Sequence, residues 1–265
     1  MRILKGGVGF FDSGIGGMTV LAECQKRCPG EFFYYYGDNK HAPYGNLPSE
    51  KIRRFVKKAF RRFRKLKVRA VVLACNTVTA LCIDELRGQY SFPIIGAEPA
   101  LVEGAKRGGE VFALVTRATY TSDRFQRLLS DVARRYPQSN VTAYPCDLLA
   151  GMIERHIFDP DFSYVTYFPK GTPNSVVLGC THYIYIKEEV RGFYQCPVYD
   201  GNEGIAKRLC SILQKERIEN KRSHKKPKKA KKKVEKKRFL RIFFLGSGKK
   251  GNKRLYEQMF AYKNR

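Results

Sequence analysis

The chain has 265 residues, 43% of them apolar, enough for one large or two small cored domains. No stretch approaches the roughly 18 continuous apolar residues of a membrane helix, and Met1 to Gly9 lacks a signal-peptide core, so a soluble cytoplasmic protein is the default expectation. The formal net charge is +27, of which Lys221 to Arg238 carries +11, with 12 Lys or Arg against one Glu; a body this basic attracts polyanions non-specifically and steers anionic metabolites, but it names no partner.

In chain order, the apolar run Val8 to Phe11 ends in Asp12-Ser13-Gly14-Ile15-Gly16-Gly17, and a helical pattern follows from Met18 to about Cys28. That is strand, glycine-rich turn and helix, with the glycines expected to serve a tight turn. Glu31 to Tyr36 is an aromatic strand that stops at Gly37-Asp38. Ser49 opens a basic amphipathic helix to about Leu66, with Ile52, Phe55, Val56, Phe60 and Phe63 on one side. A buried strand is predicted over Val68 to Leu73, a helix over Thr77 to Leu86, and strands over Phe92 to Ile95 and Val111 to Val115. Helices follow over Thr121 to Arg135 and Leu148 to His156, then a strand at Val176 to Leu178 and a helix starting near Tyr183.

Lys221 to Arg238 lacks apolar content and reads as a disordered or solvated insertion; a last strand over Phe239 to Leu245 and a helix ending near Tyr262 follow it. Strands alternating with helices predict parallel α/β sheets with function at the carboxyl ends of the strands.

Eight cysteines are present, at 24, 28, 75, 82, 146, 180, 196 and 210, with no Cys-x-x-Cys pair and no zinc-finger spacing. No metal site is expected. Disulfides are not expected either, and most of these thiols read as small buried apolar groups. Two occur in matched settings: Val71-Val72-Leu73-Ala74-Cys75-Asn76-Thr77 and Val176-Val177-Leu178-Gly179-Cys180-Thr181-His182. A single Cys at the end of an apolar strand is ordinarily packing. The matched pair instead suggests two related halves, each bringing a thiol to a strand-to-helix junction. There, backbone N–H groups and the helix dipole are expected to lower a thiol pKa from about 8.5.

Four blocks together resemble the glutamate racemases of the aspartate/glutamate racemase superfamily, from Val8 to about Gly204. They are Asp12 to Gly17, Gly37-Asp38 with Pro43-Tyr44-Gly45, Ala74-Cys75-Asn76-Thr77, and Gly179-Cys180-Thr181-His182-Tyr183. The resemblance implies two similar parallel-sheet α/β domains in pseudo-twofold relation, with the active site in the cleft between them. Residues 1–97 and 208–265 would form the first domain, and residues 98–207 the second.

The resemblance also implies L- and D-glutamate interconversion without a cofactor, a supply of D-glutamate for peptidoglycan, and a homodimer. Cys75 would deprotonate D-glutamate and Cys180 L-glutamate, with Asp12, His182 and Glu154 assisting. Ser13, Pro43, Tyr44, Gly45, Asn76, Thr77, Thr119 and Thr181 would contact substrate beside Asp12, His182 and the two thiols, with Thr119 favoured over Thr116. Val78 and Ile184 depart from the family's usual Ala and Pro. Aspartate-type relatives carry Glu where this chain has His182, which favours glutamate. The competing class is nucleic-acid binding through the Lys-rich run, which lacks interleaved aromatics for base stacking.

Overall fold

The computed structural model describes residues 6–223, 242–247 and 249–261. The first half of the chain runs β1 (Val8–Asp12), α1 (Gly17–Arg27), β2 (Phe33–Gly37), α2 (Ser49–Leu66), β3 (Ala70–Leu73), α3 (Asn76–Gln89) and β4 (Ile94–Gly96). The second runs α4 (Leu101–Ala105), β5 (Gly109–Val115), α5 (Arg117–Tyr120), α6 (Asp123–Arg135), β6 (Ser139–Pro145), α7 (Leu149–His156), β7 (Ser175–Leu178), α8 (Lys187–Tyr194) and β8 (Val198–Tyr199). The chain then returns through α9 (Asn202–Ser223), β9 (Ile242–Leu245) and α10 (Lys249–Tyr256).

Two sheets result, in the orders β4-β3-β1-β2-β9 and β6-β5-β7-β8. Every pairing in both is parallel. The first sheet therefore takes strands from both ends of the chain. All five residues of β1 are buried, as expected of a central parallel strand covered on both faces. Alternation sorts its side chains: Val8 and Phe10 pack under α1 and α9 with Val72, whereas Phe11 packs with Val71 and Leu73 under α2 and α3. In the second sheet, Phe112 and Leu114 face the α7 and α8 side, and Val111, Ala113 and Val115 face α4 and α6.

Helix α2 shows how local sequence sets orientation. Ile52, Val56, Ala59, Phe60, Phe63 and Leu66 turn inward at helical spacing, and Lys67 ends the helix in the left-handed region at φ 50°. Phe55 is only half-buried, at the edge of the predicted apolar side. The predicted helix near Tyr183 begins one turn later, because a 3-10 turn over His182–Ile186 precedes α8. Strands β6 and β8 have no counterpart among the predicted elements. β6 is a half-exposed edge strand with Ser139, Asn140 and Thr142, and β8 has two residues. From residue 224 onward the basic run to Arg238 lies outside the described residues, while Lys221 to Ser223 continue α9. No helix among the described residues is long and apolar enough to cross a membrane.

The expectation of no disulfide is overturned. Cys28, at the end of α1, is bonded to Cys210 in α9, 182 residues away. The two helices lie side by side, and a Cα–Cα separation of 6.2 Å is within bridging reach. Peptide mapping without reductant is expected to recover Cys28 and Cys210 as one cross-linked pair. Replacing Cys210 by Ser should then cost ~2–4 kcal/mol of stability, read from the urea midpoint, because the bridge closes a very long loop. Free thiols at both positions would refute the pairing.

Candidate active site

The chemistry-bearing side chains lie just past the carboxyl ends of three strands. Asp12 closes β1, Cys75 follows β3 as the N-cap of α3, and Cys180 follows β7. This is where parallel sheets place their functional loops. The two halves meet here directly: the Thr181 hydroxyl donates to Asp12 Oδ1 at 3.3 Å, and the Tyr185 hydroxyl donates to the Ile15 carbonyl at 2.8 Å. The Ile15 N–H reaches Glu154 Oε1 at 3.2 Å. These contacts join the first sheet's glycine loop to α7 and to the turn after Cys180.

The glycines of that loop lie in the expected turn, with bends at residues 13–15 and a turn at Gly16, and they also permit close approach. Gly14 and Gly16 are not among the positive-φ residues. A Cβ on Gly14 would lie 2.2 Å from Glu154 Oε1, and one on Gly16 would lie 2.4 Å from Thr181 Oγ1. Only a hydrogen fits between the halves at these points.

On the Cys75 side, the thiol lies 3.8 Å from Ser13 Oγ in a buried contact. Asp12 is fully buried, and its Oδ2 accepts the Gly14 N–H at 3.0 Å. Burial raises the Asp12 pKa above the ordinary carboxylate value, against lowering by His182 and by the Gly14 and Gly17 N–H groups. The Cys75 thiol is pushed well up, first by burial and then by the neighbouring Asp12. The Val78 N–H opposes this, and it is the helix N-terminal effect anticipated from sequence. The expected net lowering at Cys75 is therefore corrected, because excluding water from a thiolate outweighs one backbone N–H.

Cys180 has a different neighbourhood. Its Sγ lies 3.7 Å from His182 Nδ1, and His182 Nε2 lies 2.6 Å from Glu154 Oε1. Burial disfavours the charged ring, but hydrogen bonds and charge interactions with Cys180 and Glu154 outweigh it and hold the His182 pKa well above 6.5. As an imidazolium, His182 donates one N–H to the sulfur and the other to the carboxylate. Cys180, His182 and Glu154 form a continuous chain of contacts.

Thr77, Thr116 and Thr119 form a buried hydroxyl cluster. Thr77 Oγ1 and Thr116 Oγ1 are 2.9 Å apart across the two halves, and Thr116 Oγ1 lies 3.0 Å from Thr119 Oγ1. Thr116, set behind Thr119 in the sequence reading, is thus the central member of this hydroxyl cluster. Gly45 faces it, since a Cβ there would meet Thr116 Cβ at 3.0 Å. Pro43 follows a cis peptide bond, and Tyr44 is buried with its hydroxyl donating to Asp38 Oδ2 at 2.6 Å.

Asp38 also engages His41 at 2.8 Å and the Ser247 hydroxyl at 3.1 Å. It lies in the block Gly37-Asp38 but is not among the site residues expected from sequence. Its signal was a carboxylate at a strand end six residues before Tyr44. Tyr35, whose hydroxyl donates to the Gly14 carbonyl at 2.7 Å, was also missed and reads from sequence as one more core aromatic. Asn76 is buried at the start of α3, and its Oδ1 has no hydrogen-bond partner among the described residues. Val78 packs in the core beside Cys75.

The profile described as Asp/Glu/Hydantoin racemase matches residues 19–151. The chain is 35% identical over 230 residues to a glutamate racemase of Clostridium acetobutylicum, covering 83% of this chain and 89% of that protein. A glutamate racemase of Clostridium botulinum is 37% identical over 213 residues, covering 76% and 81%. Among solved structures, glutamate racemase from Thermus thermophilus in complex with beta-chloro-D-alanine superposes with a TM-score of 0.68 at 27% identity, covering 97% of this chain and 93% of that one. The Campylobacter jejuni glutamate racemase, at 24% identity and TM-score 0.73 with 97% and 99% covered, shares the fold.

Because the His182 pKa lies above its unfolded value, its contribution to stability is complete below pH 6.5 and lost as pH rises through the folded value. Replacing Glu154 by Gln removes one of the groups raising it. The imidazole carbon resonances should then titrate at lower pH than in the wild type. An unchanged or raised midpoint would break the Cys180–His182–Glu154 chain.

Proposed function

Since the chain belongs to the Asp/Glu/Hydantoin racemase family and is an amino-acid racemase, we propose that it interconverts L- and D-glutamate with Cys75 and Cys180 as opposed acid and base. The reading rests most on one observation. Two thiols follow matched parallel strands, β3 and β7, in halves that meet at the Asp12–Thr181 contact between them.

Racemisation removes the α-proton from one face of the substrate carbon and returns a proton to the other. With L-glutamate, the Cys180 thiolate, paired with the His182 imidazolium, takes the proton. The Cys75 thiol, held protonated by burial, donates its own proton to the opposite face. With D-glutamate the roles exchange, and Asp12, close enough to raise the Cys75 pKa, is placed to affect that thiol's proton.

The α-carbon is a weak acid, so the developing charge on the substrate carboxylate needs fixed donors. Ser13, Asn76 and Thr77 carry them, with the threonine pair Thr116 and Thr119 next to Thr77, while the Thr181 hydroxyl donates to Asp12. Both thiols are nearly enclosed, at 5% and 7% exposure, so substrate reaches them when the two halves part. Acid and base both come from the chain, so the reading calls on no cofactor. His182 in place of an acidic residue after Cys180-Thr181 favours glutamate over aspartate. Supply of D-glutamate to peptidoglycan, a cytoplasmic location and a homodimer belong to the same proposal.

Circular dichroism of each glutamate enantiomer tests it. Cys75→Ala and Cys180→Ala should each abolish net racemisation, since a missing proton-transfer group costs at least ~10²–10⁴-fold. Each variant is expected to exchange the α-proton of at most one enantiomer in D2O. Racemisation surviving either substitution would sink the two-thiol mechanism. Faster solvent deuterium uptake by D-aspartate than by D-glutamate would overturn the substrate.

A further inference from the structure

Away from the two thiols, the outer face of α2 forms one wall of a groove of about 1080 Å³. The other wall is the segment around Leu245, Ser247 and Lys249, after edge strand β9. Nine Lys or Arg side chains line this groove against a single carboxylate, Asp38. That carboxylate is already engaged by Tyr44, His41 and Ser247. Arg54, Lys58, Arg61 and Lys65 recur at helical spacing and are exposed. None of these four forms an ion pair among the described residues, whereas Lys57 pairs with Glu85. Such a row of unneutralised cations repels itself and favours an anion that can lie along it.

The dimensions and surroundings select the anion. From Arg54 to Lys65 the row is about 16 Å long at 1.5 Å per residue, too long for one phosphate or carboxylate. It offers a cation roughly every helical turn, about 5 Å, to a partner carrying regularly repeated charge. An anionic bilayer is the poorer fit, because surface-bound amphipathic helices bury apolar side chains in lipid. Here the apolar side of α2 is packed into the core. The exposed large hydrophobics among the described residues, Leu148, Phe158 and Phe193, all lie in the second half of the chain.

We propose that this groove binds the sugar-phosphate backbone of a nucleic acid along α2, independently of sequence and separately from the racemase site. The contacts are Lys and Arg to phosphate, which position a strand without reading bases.

The test is fluorescence anisotropy with a labelled 20-base-pair DNA duplex and the full chain, between 50 and 200 mM KCl. The groove variant is Arg54→Glu/Lys58→Glu/Arg61→Glu/Lys65→Glu. A control variant, Arg107→Glu/Arg127→Glu/Arg134→Glu/Arg135→Glu, makes the same net-charge change on exposed positions of the second half. Residues 221–238 are present in all three proteins, so their contribution cancels.

The groove variant should lose about tenfold or more in affinity, and its log-affinity against log-salt slope should fall by roughly 3 to 4. The control should lose much less, and both variants should retain racemase turnover as a check on folding. If the groove variant loses turnover, the corresponding four Gln substitutions replace it, with the same affinity and slope criteria. Equal losses in groove and control variants would reduce the binding to net charge alone. Wild-type binding to phosphatidylserine vesicles or to poly-glutamate, without binding to the duplex, would overturn the nucleic acid as occupant.

Discussion

The buried Asp12 carboxylate is the constraint on which the arrangement depends. A carboxylate with no exposed surface at the end of a core strand is costly unless every lone pair finds a partner. Its partners come from both halves: the Gly14 N–H from its own loop, and the Thr181 hydroxyl from the turn after β7. Satisfying this one group therefore draws the carboxyl ends of the two sheets together and sets the Cys180 turn against the Cys75 loop. The glycines at 14 and 16 permit the approach, and the Tyr35 and Tyr185 hydroxyls hold the carbonyls of the same loop.

The two thiols share a strand-end position but differ in surroundings. Cys75 is sealed in with Asp12, and both burial and charge keep its proton on. Cys180 faces a histidine backed by Glu154. Matched backbone positions thus carry unlike surroundings: burial and Asp12 raise the Cys75 pKa, whereas Cys180 contacts a histidine whose own pKa is raised. Part of this difference is local, since His182 follows Cys180 and has no counterpart after Cys75, but Asp12 and Glu154, which complete it, lie far from the cysteines along the chain.

The charge has a similar lesson. The Lys-rich run carries +11 of the +27 net charge, and the structure also assembles a cationic groove from α2, whose apolar half obscures it in the sequence as an ordinary amphipathic helix. Its opposite wall comes from the end of β9, nearly two hundred residues later.

The parallel α/β class, the strand–loop–helix at Asp12 and the two Cys-bearing junctions were legible in the chain, because hydrophobic periodicity and small-residue turns are local signals. Strands β6 and β8 were not legible, since an edge strand of mixed polarity and a two-residue strand have no local period to detect. The Cys28–Cys210 bond, the bridging place of Thr116 and the hub at Asp38 were decided by tertiary structure. Each depends on which helix or loop packs beside which, and on what burial does to a charge. The candidate thiols Cys75 and Cys180 are marked by local sequence; their neighbours, and the raised pKa of Cys75, are set by contacts between residues distant along the chain.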